Sequence, residues 1–347
     1  MRLHDPDRRT FASDNYAGAL PEVLAAIADA NGGHQIAYGE DDYTARLREV
    51  LRAELGERTE VFPVFNGTGA NVTALTALLP RWGAVIATGT AHIHTDEGGA
   101  PERVSGLKLL VVPAEHGKLT PAAAETEAWG WGDEHRPQPL AVSITQSTEL
   151  GTVYTPDEIR ALTDFAHERG MAVHMDGARI WNAAAALGLP FSAFTRDAGI
   201  DVLSLGGTKN GLLGAEAIVV LDPDRVEGLV YLRKLNMQLA SKMRFASAQL
   251  LALFEDGLGL RAASHANAMA ARLRAGLETI EGIGFSHPTQ ANAVFAELDL
   301  DAADRVRERY RFYDWDRANR QVRWMCAFDT TEADVDDFVE TARAALR

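Results

Sequence analysis

Lys209 and Asp176 are the two residues of this sequence whose types and surroundings are best suited to covalent catalysis. Lys209 lies in the Gly/Ser/Thr-rich segment 204–211 (SLGGTKNG), directly after a short apolar run. Asp176 ends the apolar run of segment 172–179 (AVHMDGAR), one crossover earlier in the chain. A lysine amine forms a Schiff base with an aldehyde, and a carboxylate keeps a pyridine nitrogen protonated so that the ring accepts electrons. The pair therefore predicts pyridoxal 5'-phosphate as the cofactor.

The phosphate of such a cofactor needs an anion site, and segment 66–71 (NGTGAN) is the candidate. It follows a predicted strand and opens a predicted helix, where free backbone N–H groups and the Thr68 hydroxyl make an anion cradle. An ordinary strand-to-helix turn is the alternative. The lysine turn and the aspartate elsewhere in the chain favour phosphate binding.

Two basic clusters follow the lysine turn, at 233–234 (RK) and 241–245 (SKMRF). They are the densest basic clusters in a chain whose net charge is −15. They predict either charge compensation for a phosphate dianion or a solvated helix face.

Arg179 stands three residues after Asp176, so one helical turn separates the two and both can face one pocket. The alternatives are that Asp176 caps the helix that follows it and that Arg179 forms a surface salt bridge. A cap and a cofactor contact are compatible roles for the same carboxylate.

Segment 91–99 (AHIHTDEGG) contributes two histidines, His92 and His94. Asp96 and Glu97 stand nearby, but no third cluster of ligands accompanies them, so we predict no metal site. The favoured functional interpretation is an imidazole stacked on a cofactor ring. A solvated loop histidine is the alternative, and we expect it for one of the two.

Length, composition and charge limit the classes of protein that this sequence specifies. Its 347 residues, 46% of them hydrophobic, fit a large α/β domain plus a smaller one. The acidic balance without a basic run argues against nucleic-acid binding and against an anionic membrane surface. The only cysteine, Cys326, excludes an internal disulfide. Because we find neither a signal peptide nor an apolar span of ~20 residues, we expect a cytoplasmic protein.

Short apolar runs alternate with longer helical stretches, which predicts an α/β fold with a mainly parallel sheet. The predicted strands are 61–65, 84–87, 108–112, 140–144, 172–175, 202–205 and 217–221. The predicted helices include 21–30, 43–55, 70–79, 156–168 and 178–187. Because the stretch 204–219 has no room for a crossover helix, its two strands are expected to be antiparallel, with Lys209 in the turn.

The texture of the sequence changes after residue 221. Two helices are predicted within 224–256 and a long one at 259–281; strands follow at 294–298 and 321–328, and helices at 301–310 and 332–346. We expect an N-terminal arm at 1–20 that leaves the body, a large domain at 21–260 and a small domain at 261–347.

Taken together, these segments resemble the low-specificity L-threonine aldolases, pyridoxal phosphate enzymes of fold type I. The similarity runs from 11–18 (FASDNYAG) to 328–331 (FDTT), which is nearly the whole chain. The most specific segments are 37–41 (AYGED), 65–71 (FNGTGAN), 174–179 (HMDGAR) and 206–211 (GGTKNG). The resemblance implies a fold type I, transferase-like architecture with a seven-stranded sheet and a small α+β C-terminal domain. It also implies retro-aldol cleavage of L-threonine or L-allo-threonine to glycine and an aldehyde.

The resemblance further implies a role for each candidate residue. Lys209 would hold the cofactor, Asp176 would pair with its pyridine nitrogen and His92 would stack on its ring. The other residues implied in cofactor binding are Gly67, Thr68, Arg179, Thr208 and, toward the phosphate of a neighbouring subunit, Arg244 with Lys234 or Lys242. The residues implied in substrate binding are Ser13, Arg179 and Arg323 at the carboxylate, with His94, Thr148 and Tyr38.

One segment departs from the pattern of the family. Many relatives carry a second active-site histidine in a Glu-Asn-Thr-His-Asn segment, and Thr148 stands at that position in the stretch 145–149 (TQSTE). Threonine is a poor base. His92, His94, Glu97 or a bound water are therefore the candidates for accepting the proton of the substrate's β-hydroxyl group.

Other functions remain open at this level. The same cofactor core would serve β-elimination, racemisation or cleavage of bulkier substrates such as phenylserine, and a catalytically silent cofactor-binding protein is the non-enzymatic alternative. The basic clusters predict assembly, because a residue that serves a neighbouring phosphate requires a neighbour. A homodimer is the minimum, and the resemblance implies a tetramer.

Overall fold

The structure is a computed structural model that describes residues 3–347, and it contains two β-sheets. The strands of the larger sheet are β1 (Glu60–Val64), β2 (Gly83–Thr88), β3 (Lys108–Val112), β4 (Gln138–Thr145), β5 (Ala172–Gly177), β6 (Val202–Leu205) and β7 (Glu216–Val220). They lie in the order β1-β7-β6-β5-β4-β2-β3. Strands β2 to β6 pair in parallel, whereas β7 pairs antiparallel with both β6 and β1. The predicted α/β class with a mainly parallel seven-stranded sheet is confirmed.

The seven predicted strands of this sheet are all present, and their ends differ from the prediction by at most two residues. Strands β2, β5, β6 and β7 are buried along their whole length. Continuous apolar runs are expected for strands that helices cover on both faces. The antiparallel pairing of β6 with β7, with Lys209 between them, is also confirmed.

Fourteen α-helices surround the sheets in the described residues. They are α1 (Pro21–Asp29), α2 (Asp42–Leu55), α3 (Gly67–Leu78), α4 (His92–Thr95), α5 (Ala100–Val104), α6 (Pro121–Glu125), α7 (Pro156–His167), α8 (Ile180–Leu187), α9 (Phe191–Phe194), α10 (Leu229–Leu235), α11 (Arg244–Phe254), α12 (Leu258–Leu277), α13 (Leu300–Arg307) and α14 (Glu332–Ala345). None of these helices combines the length and the apolarity that crossing a membrane requires.

Four short helices, α4, α5, α6 and α9, were not predicted from the sequence. Each has only four or five residues, which is too few for an apolar period to emerge. The first of the two helices predicted within 224–256 begins later than expected. Its N-cap is Gly228, whose φ of 67° lies in the left-handed region, so the helix begins at Leu229.

The smaller sheet is antiparallel and is built from β8 (Gly284–Phe285), β9 (Ala293–Glu297), β10 (Tyr313–Asp316) and β11 (Gln321–Met325). Their order is β10-β11-β9-β8. Phe11, which belongs to the predicted N-terminal arm, is fully buried in the core of this sheet. Its N–H donates to Arg311 O, and its own carbonyl accepts from Met325 N. At this point the arm does not leave the body, because an aromatic ring of this size is more stable in an apolar core than in water.

Helix α12 links the small sheet to the lysine turn. The first part of α12 packs in the core of the large sheet and its last part in the core of the small sheet. Near the start of α12, the carbonyl of Gly259 accepts a hydrogen bond of 3.0 Å from Nδ2 of Asn210, the residue that follows Lys209 in the chain. The indole of Trp181 lies against Gly259 and donates to Gly206 O over 3.0 Å. The division at residue 260 stays a prediction, since this helix is shared.

The contact between Gly259 and Trp181 leaves no room for a side chain. A Cβ atom at position 259 would lie 2.5 Å from carbons of the indole ring. We expect Gly259→Ala to lower the free energy of unfolding by about 1–3 kcal/mol, because overpacking outweighs the better helix propensity of alanine. Chemical denaturation measures this, with Gly32→Ala as the control, since a Cβ there meets nothing within 4 Å. An unchanged or higher stability of Gly259→Ala would contradict the packing argument.

Candidate active site

Lys209 lies in a short 3₁₀ turn between β6 and β7, and backbone contacts fix that turn against the end of β5. A Cβ atom at Gly206 would lie 2.6 Å from the carbonyl oxygens of Gly177 and Ala178, so only glycine allows this approach. Burial, followed by the nearby guanidinium of Arg179, lowers the pKa of Lys209. A lysine with a lowered pKa is more often uncharged, which is the form that attacks a carbonyl.

Glu216, the first residue of β7, binds the backbone of the same turn. Its carboxylate accepts from Gly207 N over 2.8 Å and from Thr208 N over 3.3 Å. Burial raises the pKa of Glu216 to about 7. A single carboxylate therefore satisfies the two backbone donors that precede Lys209.

Asp176 is the penultimate residue of β5, and three N–H donors hold it. Its Oδ2 accepts from Asn71 Nδ2 over 2.9 Å, and its Oδ1 accepts from Ala178 N over 2.9 Å. Its backbone carbonyl accepts from Gln146 N over 2.8 Å. Helix α8 begins at Ile180, so Asp176 is not its N-cap, and that alternative is wrong. The carboxylate is buried and its position is fixed.

His92, the first residue of α4, is held at both its ring and its backbone. Ring Nδ1 donates to Glu97 Oε1 over 2.9 Å, and the backbone N–H donates to Glu149 Oε1 over 2.8 Å. The bond to Glu97 raises the pKa of His92. Burial raises the pKa of Glu97, although the bond to His92 works against that rise. The hydrogen bond to Glu97 therefore makes the His92 imidazole the better proton acceptor of the two.

These contacts form a ring of residues around the end of the sheet, linked by hydrogen bonds and, between Thr145 and Asp176, by strand pairing. Asn71 Nδ2 donates to Glu97 Oε1 over 2.8 Å as well as to Asp176. The hydroxyl of Thr145 donates to Glu149 Oε1 over 2.8 Å, and Thr145 lies opposite Asp176 in the pairing of β4 with β5. We name the ring the Asp176 circuit; its members are Asp176, Asn71, Glu97, His92, Glu149 and Thr145.

The candidate anion cradle lies at the start of α3. The helix begins at Gly67, and the side chain of its N-cap, Asn66, accepts from Gly69 N over 2.7 Å. A Cβ atom at Gly67 would meet nothing within 4 Å, so space is open beside this helix start. Thr68 follows in the first turn, and Asn71 of the same helix joins the Asp176 circuit. The cradle and the carboxylate are therefore connected through one helix.

The guanidinium groups of Arg179 and Arg323 repel one another beside the N-terminal segment, where Arg179 contacts Asp14 and Arg323 contacts Ala12. Arg179 binds Asp14 through two bonds of 2.7 and 2.9 Å, and because both side chains are largely buried this is not a surface ion pair. Burial acts against the charge of Asp14, but the ion pair with Arg179 outweighs it and lowers the pKa of Asp14. Burial, followed by repulsion from Arg179, lowers the pKa of Arg323 to about 10. The Nε of Arg323 is buried and has no hydrogen-bond partner among the described residues. Ser13 lies in the same segment as the Asp14 carboxylate.

Two of the predicted substrate-binding residues have other surroundings. Thr148 is buried, and its hydroxyl pairs with Thr152 Oγ1 over 2.7 Å and accepts from Thr152 N over 3.2 Å. His94 is exposed, whereas its neighbour Ile93 is buried. The expectation that one histidine of the pair would be solvated fits His94, although it lies in helix α4 and not in a loop.

Four further predicted residues cluster away from the Asp176 circuit. Arg244 Nη1 donates to Gly33 O over 3.3 Å, and the Lys234 amine lies 5.1 Å from the centre of the Tyr38 ring. Lys242 and Arg244 line a cavity of about 470 Å³ together with residues 33–37. Tyr38 has a φ of 63°, a strained value for an aromatic residue. Within one chain, Lys234 contacts Tyr38, and Lys242 and Arg244 line the same cavity.

Several residues of the site were missed from the sequence: Asn71, Glu149, Glu216, Asp14 and Asn292, whose side chain donates to Asp14 over 3.0 Å. Asn71, Glu149, Asp14 and Glu216 stood inside segments quoted from the sequence without a role being predicted for them, whereas Asn292 stood in none. In the described residues 3–347, no group of three or more His, Cys, Asp or Glu side chains is arranged to hold a metal ion.

The fold and this site define the class of protein. The family model of the beta-eliminating lyases matches residues 10–300, so the chain belongs to that family.

Within the family, the chain is similar to threonine aldolases. A low specificity L-threonine aldolase of Pseudomonas sp. (strain NCIMB 10558) is 45% identical over 338 residues, which is 97% of each chain. One from Pseudomonas aeruginosa is 45% identical over 96% of each chain. The structure of a threonine aldolase from Leishmania major superposes with a TM-score of 0.91 at 28% identity, covering 97% of this chain and 99% of that one.

The raised pKa of Glu216 predicts a pH dependence of stability. The pKa of Glu216 is about 7 in the folded protein, against 4.5 for an ordinary glutamate. Because the folded state binds this proton more tightly than the unfolded state, the contribution is lost as the pH rises from 4.5 to 7. We expect Glu216→Gln to lose less melting temperature than the parent between about pH 5 and about pH 8. Differential scanning fluorimetry measures this, with the exposed Glu57→Gln as the control; equal losses in parent and Glu216→Gln would contradict it.

Proposed function

We propose that this protein is a pyridoxal phosphate-dependent aldolase that cleaves L-threonine, L-allo-threonine and related β-hydroxy-α-amino acids to glycine and an aldehyde. The observation that carries the proposal is the placement of the Lys209 turn against the end of β5, next to a buried Asp176 carboxylate. The 45% identity to low specificity L-threonine aldolases along nearly the whole chain supports the choice of reaction.

The residues present suit the cofactor. Lys209, with its lowered pKa, would bind the aldehyde, and Asp176 would pair with the pyridine nitrogen. Gly67 and Thr68 would bind the phosphate at the start of α3, beside the space that opens at Gly67. Thr208 is adjacent to the lysine and would add a hydroxyl. When bound, the cofactor supplies a ring that takes up the electron pair released as the Cα–Cβ bond of the substrate breaks.

The arginines orient the substrate in this proposal. The Nε of Arg323 is buried and has no hydrogen-bond partner within residues 3–347, and a substrate carboxylate would complete its hydrogen bonds. Arg179 is held in place by Asp14 and would bind the same carboxylate from a second side, with Ser13 in the adjoining segment. Two fixed contacts on the carboxylate would limit rotation about the N–Cα bond of the substrate. That would hold the Cα–Cβ bond in the orientation that cleavage requires.

The proton of the β-hydroxyl group requires an acceptor. Thr148 and His94 are poor candidates, since the hydroxyl of Thr148 is already bonded and His94 is exposed. We assign the acceptor role to His92, whose pKa is raised by Glu97. A base whose pKa lies near the working pH transfers protons in both directions efficiently.

We also propose that the active protein is a homo-oligomer, a dimer at the minimum and a tetramer by resemblance to the family. Exposed apolar side chains lie on and after α10, where Tyr231 and Met237 are each 81% exposed and Leu235 is 72% exposed. Apolar area of this kind marks association surfaces. Lys234, Lys242 and Arg244 lie in the same stretch and would reach the phosphate of the neighbouring subunit, with Tyr38 beside them.

Replacement of Lys209 tests the cofactor assignment. We expect Lys209→Ala to abolish cleavage of L-threonine and to leave no cofactor covalently attached after borohydride reduction and mass spectrometry, because no other group in the proposal forms the imine. Wild-type protein treated in the same way is the positive control. Retention of both the attachment and the cleavage by Lys209→Ala would refute the assignment.

Replacement of Arg244 tests the assembly. We expect Arg244→Ala to weaken cofactor binding by about 10-fold, the equivalent of about 1.4 kcal/mol for one lost charged contact to phosphate. Equilibrium dialysis of the cofactor measures this, and Arg103→Ala, an exposed arginine on α5, is the matched control. Unchanged affinity in Arg244→Ala would refute the role.

A further inference from the structure

Glu149 is a buried carboxylate at the candidate site with one oxygen engaged and the other free. Its Oε1 accepts from His92 N and from Thr145 Oγ1, both over 2.8 Å. Its Oε2 is buried without a hydrogen-bond partner in the structure. A buried acceptor of this kind is costly, so it is expected only where the bonds of the other oxygen matter.

The helix that carries His92 lacks a cap of its own. Helix α4 has only four residues, and its N-cap, Ala91, has no side-chain acceptor. The first N–H groups of a helix have no partner inside the helix. Glu149 supplies an acceptor from the loop after β4, and so it replaces the missing cap for His92.

The second bond of Glu149 determines what this cap is attached to. Thr145 ends β4 and lies opposite Asp176 in the pairing of β4 with β5. Glu149 therefore fixes the backbone of His92 relative to the strand pair that carries Asp176. Glu97 independently fixes the ring of His92, also through a side chain bonded to Asn71. Backbone and ring thus have separate attachments to the same carboxylate-bearing strand end.

We propose that Glu149 is a positioning residue for the reaction: through the two hydrogen bonds that its Oε1 accepts, it would fix where the His92 imidazole lies relative to the bound cofactor. The inference rests on the proposed function, and it adds a residue that neither stacks on the cofactor nor binds its phosphate. Thr145 is the second component of this device, because it ties the carboxylate to the end of β4.

The proposal assigns the role to an acceptor oxygen and not to a charge. Burial, followed by repulsion from Asp176, raises the pKa of Glu149 to about 6. The other charged or titratable groups around it are His92 on α4, Arg179 before α8 and Tyr154 after β4. A protonated carboxyl group keeps a carbonyl oxygen that accepts both bonds, so the positioning persists on either side of this pH. Glutamine, which also offers one carbonyl oxygen, is expected to substitute for Glu149.

The test compares Glu149→Gln, Glu149→Ala and Thr145→Val in cofactor-loaded protein. Visible circular dichroism of the bound cofactor reports the environment of its ring, and steady-state kinetics with L-threonine separate kcat from KM. We expect Glu149→Gln to keep the dichroism and the pH profile of the parent. Glu149→Ala should change the dichroism and lower kcat by about 10- to 100-fold, with a much smaller change in KM, because misplacement of a catalytic group acts on the chemical step. Thr145→Val should give an intermediate effect.

Two results would overturn the proposal. One is an unchanged dichroism and kcat in Glu149→Ala; the other is a Glu149→Gln variant that is as impaired as Glu149→Ala with a shifted pH profile, which would assign the role to the charge. If Glu149→Ala fails to fold, Thr145→Val decides, because it removes one donor and leaves the carboxylate in place; parent-like dichroism and kcat there would refute the proposal. If the parent itself cleaves no β-hydroxy amino acid, the proposed function fails, while the dichroism of the variants still tests the positioning of His92.

Discussion

A carboxylate buried at the end of a strand must be given hydrogen-bond donors, because its desolvation costs several kcal/mol when it is left without them. Asp176 meets this requirement with a side-chain donor from Asn71 on α3 and a backbone donor from Ala178. Since Asn71 shares its second amide hydrogen with Glu97, satisfying one carboxylate also places a second one. Through Asn71 and Glu97, Asp176 is thereby linked to His92 on α4.

The lysine turn depends on the same strand end through a different kind of contact. Gly206 lies so close to the carbonyls at the end of β5 that no side chain fits there, and Trp181 and Asn210 tie the turn to Gly259 on α12. The position of Lys209 is therefore set by backbone packing, whereas the position of the His92 imidazole is set by hydrogen bonds. Rigid packing suits a lysine that would hold a cofactor, and the hydrogen bonds of α4 position the His92 ring independently of that lysine.

The sequence was sufficient for the sheet and for the residues that act near their own strand ends. The apolar runs before Lys209 and Asp176 predicted both strands, and the short Gly-rich connection predicted their unusual antiparallel neighbour. What the sequence did not predict are partnerships between distant segments. Asn71 meets Asp176 across 105 positions and Arg179 meets Asp14 across 165, so nothing local to either residue signals the contact. The resemblance to the family marks position 148, but the Thr148 hydroxyl is bonded inside its own loop. It is the neighbouring Glu149 that contacts His92, and no pattern in the sequence indicates that contact.

The products formed from L-threonine test the proposed aldol cleavage most directly. Incubation of the cofactor-loaded protein with L-threonine, followed by quantification of amino acid, carbonyl compound and ammonia, distinguishes cleavage of Cα–Cβ from loss of the β-hydroxyl group. The arrangement of Lys209, Asp176, His92 and the two arginines predicts equal amounts of glycine and acetaldehyde and no ammonia. Ammonia with 2-oxobutanoate, or no turnover of any β-hydroxy amino acid, would contradict it.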